Sequence, residues 1–348
     1  MSVILQKKHN LMMTQKEIAK ILNISRSTVS LALAKSPKVK QKTLKRVSEF
    51  AQKINYHPDM AARSLVLKKT NLIGVLLPSF AHRFLSELSD EIFHCLNQRG
   101  YSVLFGVSNG EEELSNLIGS MMARKVDGII SYFGNLEKLV KLNENGLPIV
   151  VYRRVHHYPL SYVDVDRFKG SMLLASHLIE TGHKRIAFVG GIDKTKIFDR
   201  RFAGYQEAMF ENDFEIDPSL IVDISGEMKE GIKGMQILLE KSKGNLPDAV
   251  MFHNDSMALG GMSEAQRNGI KIPDDMAIVG FDNIEESRYS LPALTTVKQP
   301  KKLIAEKLVE ILVSQIEDKG NHFIAENYIF MPEIIVRESS KSSSKKNV

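Results

Sequence analysis

The chain has 348 residues, 43% of them hydrophobic, which is enough for one large core beside a small one and too much for a wholly disordered protein. A single cysteine, Cys95, rules out an intrachain disulfide and fits a reducing compartment, and no apolar run reaches membrane-spanning length, so the expected location is cytoplasmic. The net charge of +6 is segregated: residues 1–69 hold 15 Lys and Arg against 3 acidic residues, a net of +12, and the rest of the chain sums to −6. Basicity concentrated on one small N-terminal segment is most simply used on a phosphate backbone.

Residues 1–13 read as a loose arm. Thr14 is a good N-cap, and Glu17 three residues on completes a capping box that starts a helix with Ile18, Ala19 and Leu22 inward. Asn23 interrupts it, and Ser25 can cap a second helix whose inner face is Val29, Ala32 and Leu33. This is helix-turn-helix spacing. Arg26, Ser27 and Thr28 at the start of the second helix are polar and short or forked, as a first turn that reaches base edges requires. A third helix over 41–54 supplies Leu44, Val47, Phe50, Ala51 and Ile54 to cover the first two.

Pro58 stops or restarts the chain, and residues 59–66 can make only about two helical turns, too few to hold alone. They read as a linker ordered by DNA or by a partner copy. From Asn71 the pattern alternates apolar strands with amphipathic helices. Strands are expected in LIGVLLP, YSVLFG, VDGIISY and LPIVVY, with helices at 84–97, 112–124 and 135–144 between them. A second half begins near Asp164, with helices at 168–180, 200–211, 230–241 and 256–267 and strands at HKRIAFVGG, 220–223, 248–252 and 276–281. A long helix over 301–316 and a strand NYIFMPEIIVR close the chain. The expected fold class is a three-helix headpiece and hinge helix followed by a two-lobed α/β domain with parallel sheets, and ligands of such sheets sit at the carboxyl ends of the strands. The domains run 14–57 (helix-turn-helix), 58–69 (linker) and 70–338 (two α/β halves), with a disordered tail at 339–348.

Enzyme signatures are weak. GVSNG around Ser108 has the spacing of a nucleophile elbow, but the acidic helix start EEELSN that follows opposes an oxyanion hole. His156 and His157 are adjacent without HExxH or cysteine spacing, so no metal, catalytic residue or cofactor is expected.

The segments EIAKILNISRSTVSLAL, NYHPDMAARSL, RKVDGII, TGHKRIAFVGG, RRFAGYQEAM, MFHNDSMALGGMSEAQRNGIKIPDDMAIVGFDN and LPALTTVKQP, in this order, resemble the LacI-type family of bacterial transcriptional regulators from Thr14 to Arg337. The resemblance implies a homodimer or tetramer on a pseudo-palindromic operator, with a small sugar or sugar-like acid bound between the lobes and no membrane partner. It also implies that the linker 58–69 is a hinge, that 70–338 binds an effector, and that its N-lobe is 70–153 and 284–316 and its C-lobe 154–283 and 317–338. It places DNA contacts at Thr14, Ser25, Arg26, Ser27, Thr28, Ser30, Tyr56, Arg63 and Leu65, with Arg26 and Ser27 on base edges and Leu65 wedged into the minor groove. It places effector contacts at Phe80, His82, Phe84, Arg153, Arg201, Asn254 and Asp282. Three departures stand out: Leu31 where a donor is common, His82 in PSFAHRFL where an asparagine is usual, and Arg153 in YRR where an aspartate precedes the arginine. A guanidinium in place of a carboxylate reverses the local charge and favours an anionic effector. The rival reading, an intracellular sugar-binding module, gives no reason for the basic headpiece; a DNA-bending protein would not need a two-lobed cleft.

Overall fold

The computed structural model describes residues 13–33, 36–56, 69–108, 110–132, 134–155, 157–192, 199–242, 244–318 and 324–341. Two compact units divide at residue 70. The N-terminal unit holds α1 (Gln15–Leu22), α2 (Arg26–Leu33) and α3 (Gln41–Lys53). The Thr14 hydroxyl accepts from the Glu17 N–H at 3.3 Å and the Glu17 carboxylate accepts from the Thr14 N–H at 2.8 Å, so the box closes in both directions. Asn23 leaves α1 in the left-handed region, at φ 49°, and Ser25 Oγ accepts from Thr28 N–H at 3.0 Å to start α2. Ile18, Ala19, Leu22, Val29, Ala32 and Val47 form the core, and Arg46 on α3 donates to the Leu22 carbonyl at 2.9 Å, satisfying an acceptor that the end of α1 leaves open. The arm through residue 12 and residues 57–68, which include nearly all of the expected hinge, lie outside the described residues.

The C-terminal unit contains two six-stranded sheets. In the first, β1 (Leu72–Leu77), β2 (Ser102–Val107), β3 (Gly128–Ser131), β4 (Ile149–Tyr152), β5 (Ser161–Val165) and β11 (Asn327–Phe330) run parallel in the order β2-β1-β3-β4-β5-β11. In the second, β6 (Ile186–Gly190), β7 (Ile221–Asp223), β8 (Ala249–Phe252), β9 (Ala277–Asp282), β10 (Thr295–Lys298) and β12 (Glu333–Ile335) follow the order β7-β6-β8-β9-β10-β12, with only β12 antiparallel. Central strands such as IAFVG and AIVGFD are buried along their length, which is why they read as continuous apolar runs. Helices α4 (Arg83–Gln98), α5 (Glu111–Ala123), α6 (Leu136–Glu144) and α11 (Lys301–Glu317) serve the first sheet. Helices α7 (Arg167–Glu180), α8 (Arg201–Glu211), α9 (Met228–Lys241) and α10 (Asp255–Arg267) serve the second, α7 packing on α8 and α9 on α10.

The lobes exchange more chain than the sequence suggests. SYVDV, expected at the start of the second lobe, is β5 of the first sheet, so the crossover falls at Asp166 rather than at 154. TTVK, expected in the first lobe, is β10 of the second, and only α11 returns. The single strand expected over 327–337 is two, one in each sheet, split at Met331 and Pro332, where proline offers no N–H to a ladder. The chain therefore passes between lobes at 166, near 300 and at 331–332. The expected disordered tail also begins too early. Ser339 and Ser340 are fully buried, Ser339 donating to the Ile278 carbonyl at 2.5 Å and Ser340 lying 2.7 Å from the Thr295 hydroxyl. Serine-rich composition hides a segment held by hydrogen bonds rather than apolar burial.

Candidate DNA-reading helix and effector cavity

On α2, Arg26, Ser27, Ser30 and Leu31 are exposed while Val29 and Ala32 face the core. Ser27, Ser30 and Leu31 share a face at i, i+3 and i+4 spacing. Leu31 therefore points away from the core, where it can meet a thymine methyl but cannot donate to a base. The Ser25 hydroxyl sits 2.7 Å from that of Ser27 and 2.8 Å from that of Thr28, so part of the polar surface at the helix start is already ordered by the cap. Tyr56 packs partly buried on the headpiece core, its N–H donating to the Ala51 carbonyl at 2.8 Å. Arg63 and Leu65 lie outside the described residues.

In the C-terminal unit a cavity of about 130 Å³ opens between the two sheets at the carboxyl ends of their strands. Of the expected effector contacts it gathers His82, Phe84, Arg153, Arg201 and Asp282. Two others are elsewhere. Phe80 is half exposed and stacks edge-on against Phe105 at 5.6 Å. Asn254 is buried but committed: its carbonyl oxygen caps α10 by accepting from Met257 N–H at 2.8 Å, and its amide donates to the Gly226 carbonyl at 3.0 Å. Asparagine before a helix is a capping residue first, and both polar atoms of this side chain already have partners outside the cavity.

The cavity also recruits Pro78, Leu85, Tyr132, Tyr152, Arg167 and Gln299, which sequence reasoning missed. The signal was positional. Pro78 and Tyr132 directly follow β1 and β3, and Tyr152 ends β4; Arg167 and Gln299 lie just past β5 and β10, the two strands not recognised. Reading those strands would have put both residues at carboxyl ends.

Electrostatics organise the polar side. Burial works against the charge of Arg167, but Asp164, hydrogen-bonded to its Nη1, raises its affinity for the proton well above the usual arginine range. Arg201 lies 3.2 Å from Asp199, donates to the His253 carbonyl, and stacks over Phe281 with 4.8 Å to the ring centre. Burial raises Asp282, opposed by Arg201, and its Oδ1 accepts from Gln299, whose own carbonyl accepts from the Tyr152 hydroxyl at 2.9 Å. Arg153 differs: burial depresses its pKa, with Arg167 adding to the effect, and its guanidinium makes no hydrogen bond or ion pair among the described residues. Arg153 and Asp282 both hold positive φ, 152° and 123°, a strained backbone for non-glycine residues and one that clusters at ligand sites. At the mouth His82 faces Glu227 across the lobes at 3.6 Å; burial lowers the histidine and raises the acid, so each partner supports a charge the other's surroundings resist. Ser108 is buried, its hydroxyl donating to the Gly110 carbonyl at 2.8 Å, and it closes its own loop.

A basic helix-turn-helix unit joined to a two-lobed sheet pair with a polar cavity at its strand ends defines a DNA-binding regulator with a small-molecule-binding domain. Residues 14–59 match the family of bacterial regulatory proteins of the lacI type, and residues 175–340 match a periplasmic binding protein-like domain. The HTH-type transcriptional repressor PurR of Histophilus somni (strain 129Pt) is 32% identical over 338 residues, covering 95% of this chain and all of the relative. A lac repressor dimer bound to operator and the anti-inducer ONPF has a TM-score of 0.82 at 24% identity, covering 95% of this chain and 99% of that one. A transcriptional regulator CelR–cellobiose complex has a TM-score of 0.70 at 25% identity, covering 94% and 99%. The chain belongs to the LacI family of DNA-binding transcription regulators. No helix among the described residues is long and apolar enough to cross a membrane.

Proposed function

We propose that this regulator is a repressor that binds a pseudo-palindromic operator as a dimer and changes its operator affinity when a small carbohydrate-like or anionic effector enters the cleft between the lobes. The observation that carries the reading is the coexistence of an exposed Arg26–Ser27 helix start with a cavity whose walls come from both lobes. One headpiece reads one half-site, so two-fold protein symmetry matches two-fold DNA. Arg26 can pair bidentately with guanine, Ser27 and Ser30 lie beside it, Thr14 and Thr28 meet phosphate, and Tyr56 steadies the segment that carries Arg63 and Leu65 into the minor groove.

The test is a duplex selected by the purified protein from a randomised pool, followed by footprinting and sedimentation of the complex. A palindromic site occupied by two chains is expected; a monomer on an asymmetric site refutes the reading. Affinity should fall steeply with salt, with a log–log slope of about −0.9 per phosphate contacted. Leu65→Ala should weaken the selected duplex by a large factor and a random duplex hardly at all. Equal losses on both would make Leu65 a packing residue.

A further inference from the structure

Among the described residues of the cavity, Arg167 is paired with Asp164 and Arg201 with Asp199, Asp282 is hydrogen-bonded by the neutral Gln299, and Arg153 has no ion pair or side-chain hydrogen bond. A partly buried guanidinium without an ion pair is stabilised when an anion joins it. The Nε of Arg201 is buried with no hydrogen-bond partner, a second donor at the same cavity. Arg153 and Asp282 form no ion pair with each other, so the cavity offers two poles of opposite charge, an unpaired guanidinium and a carboxylate with one oxygen unused.

The cavity walls also include Phe84, Tyr132 and Tyr152, with the tyrosine hydroxyls turned to Ser89 at 3.2 Å and Gln299 at 2.9 Å. Charge sets a limit: one guanidinium without an ion pair suits one negative charge, and the second charge of a phosphate dianion would find no further unpaired cation among the described residues of the cavity.

We infer that the effector is a hydroxylated monocarboxylate, such as a uronate or aldonate, with its carboxylate on the Arg153 fork and its hydroxyls donating toward Asp282. This rests on the cleft being the effector site. The strained φ at both residues fits two strand ends held in place to present these poles.

The test is calorimetric titration of the full-length protein with D-glucuronate, D-galacturonate and D-gluconate against D-glucose, D-galactose, glucose 6-phosphate and cellobiose. At least one acid should bind, with its neutral counterpart at least about 30-fold weaker, the range for hydrogen bonds to a charged group. Arg153→Ala should remove that preference and Arg153→Lys should restore part of it, both checked for folding by circular dichroism. The inference is overturned if a neutral sugar or cellobiose binds as tightly as the acids, if the sugar phosphate is preferred, if no acid binds, or if folded Arg153→Ala binds the acid unchanged. Titrating the selected duplex with and without the bound acid separates the two readings. An acid that binds through Arg153 yet leaves duplex affinity unchanged refutes the effector role and keeps the site, and a neutral sugar that shifts duplex affinity does the reverse.

Discussion

Asp255 offers a quantitative test of the cavity's supporting shell. It is the first residue of α10, fully buried, with Oδ2 accepting from the Ile284 N–H at 3.0 Å and Oδ1 accepting from the Thr296 hydroxyl at 2.5 Å. Burial, with the like charge of Asp282 added, pushes its pKa up to about 7 despite these two donors. In the unfolded chain the carboxyl titrates near 3.9. As pH rises from about 4 to 7, the unfolded chain sheds this proton and the folded protein keeps it, so folding stability falls through that window and levels off above it. The full loss is about 4 kcal/mol, of which roughly 2 to 3 kcal/mol accrues between pH 5 and 8. Asparagine mimics the protonated acid: its oxygen can accept from Ile284 and its amide can donate to Thr296. Asp255→Asn should therefore gain on the parent as pH rises, by that same amount between pH 5 and 8. Urea unfolding at pH 5, 6.5 and 8, followed by far-ultraviolet circular dichroism because the chain has no tryptophan, measures the difference. A gap between variant and parent that stays constant with pH would refute the reasoning.

Gly260→Ala should destabilise by about 1 to 3 kcal/mol or more, read as a lower melting temperature, because its Cβ would lie 2.1 Å from the Met228 carbonyl oxygen where α9 and α10 meet backbone to backbone. Thr14→Ala removes the capping hydroxyl at the start of α1 and should cost about 1 kcal/mol of headpiece stability, measured by thermal unfolding of residues 1–70. Arg26→Ala should lose about 1 to 3 kcal/mol of discrimination at one base position per half-site, while random-duplex affinity drops only slightly; competition titrations across single-base variants would show it. A uniform loss at all positions would make Arg26 a phosphate contact.

The headpiece was legible because each of its signals is local: caps, left-handed Asn23 and i, i+3, i+4 apolar spacing fall within a few residues of one another. The central strands were legible because both of their faces are buried. What stayed hidden depends on partners distant in sequence. SYVDV and TTVK are short strands whose serine, aspartate and threonine residues are silent unless the neighbouring strand is known, and missing them concealed Arg167 and Gln299. Arg153 stood out because the family resemblance puts an aspartate where this chain has arginine, and it does line the cavity. That it lacks a partner could be seen only once Asp164 and Asp199 were placed on the other arginines. Asn254 misled because the same side chain serves equally well as a helix cap and as a ligand contact.

The three passages between lobes order the life of the nascent chain. Neither sheet is complete until residues 327–335 have been made, and Ser339 and Ser340 bind into the second lobe last of all. The headpiece is finished by residue 56, so at about 5–20 residues per second the ribosome takes roughly 15 to 60 s more to deliver the final strands. Through that interval a folded reading head can exist without a closed sensor. A chain cut between residues 57 and 326 would keep its α1–α3 core and lose an edge strand from both sheets, leaving a headpiece without a complete sensor.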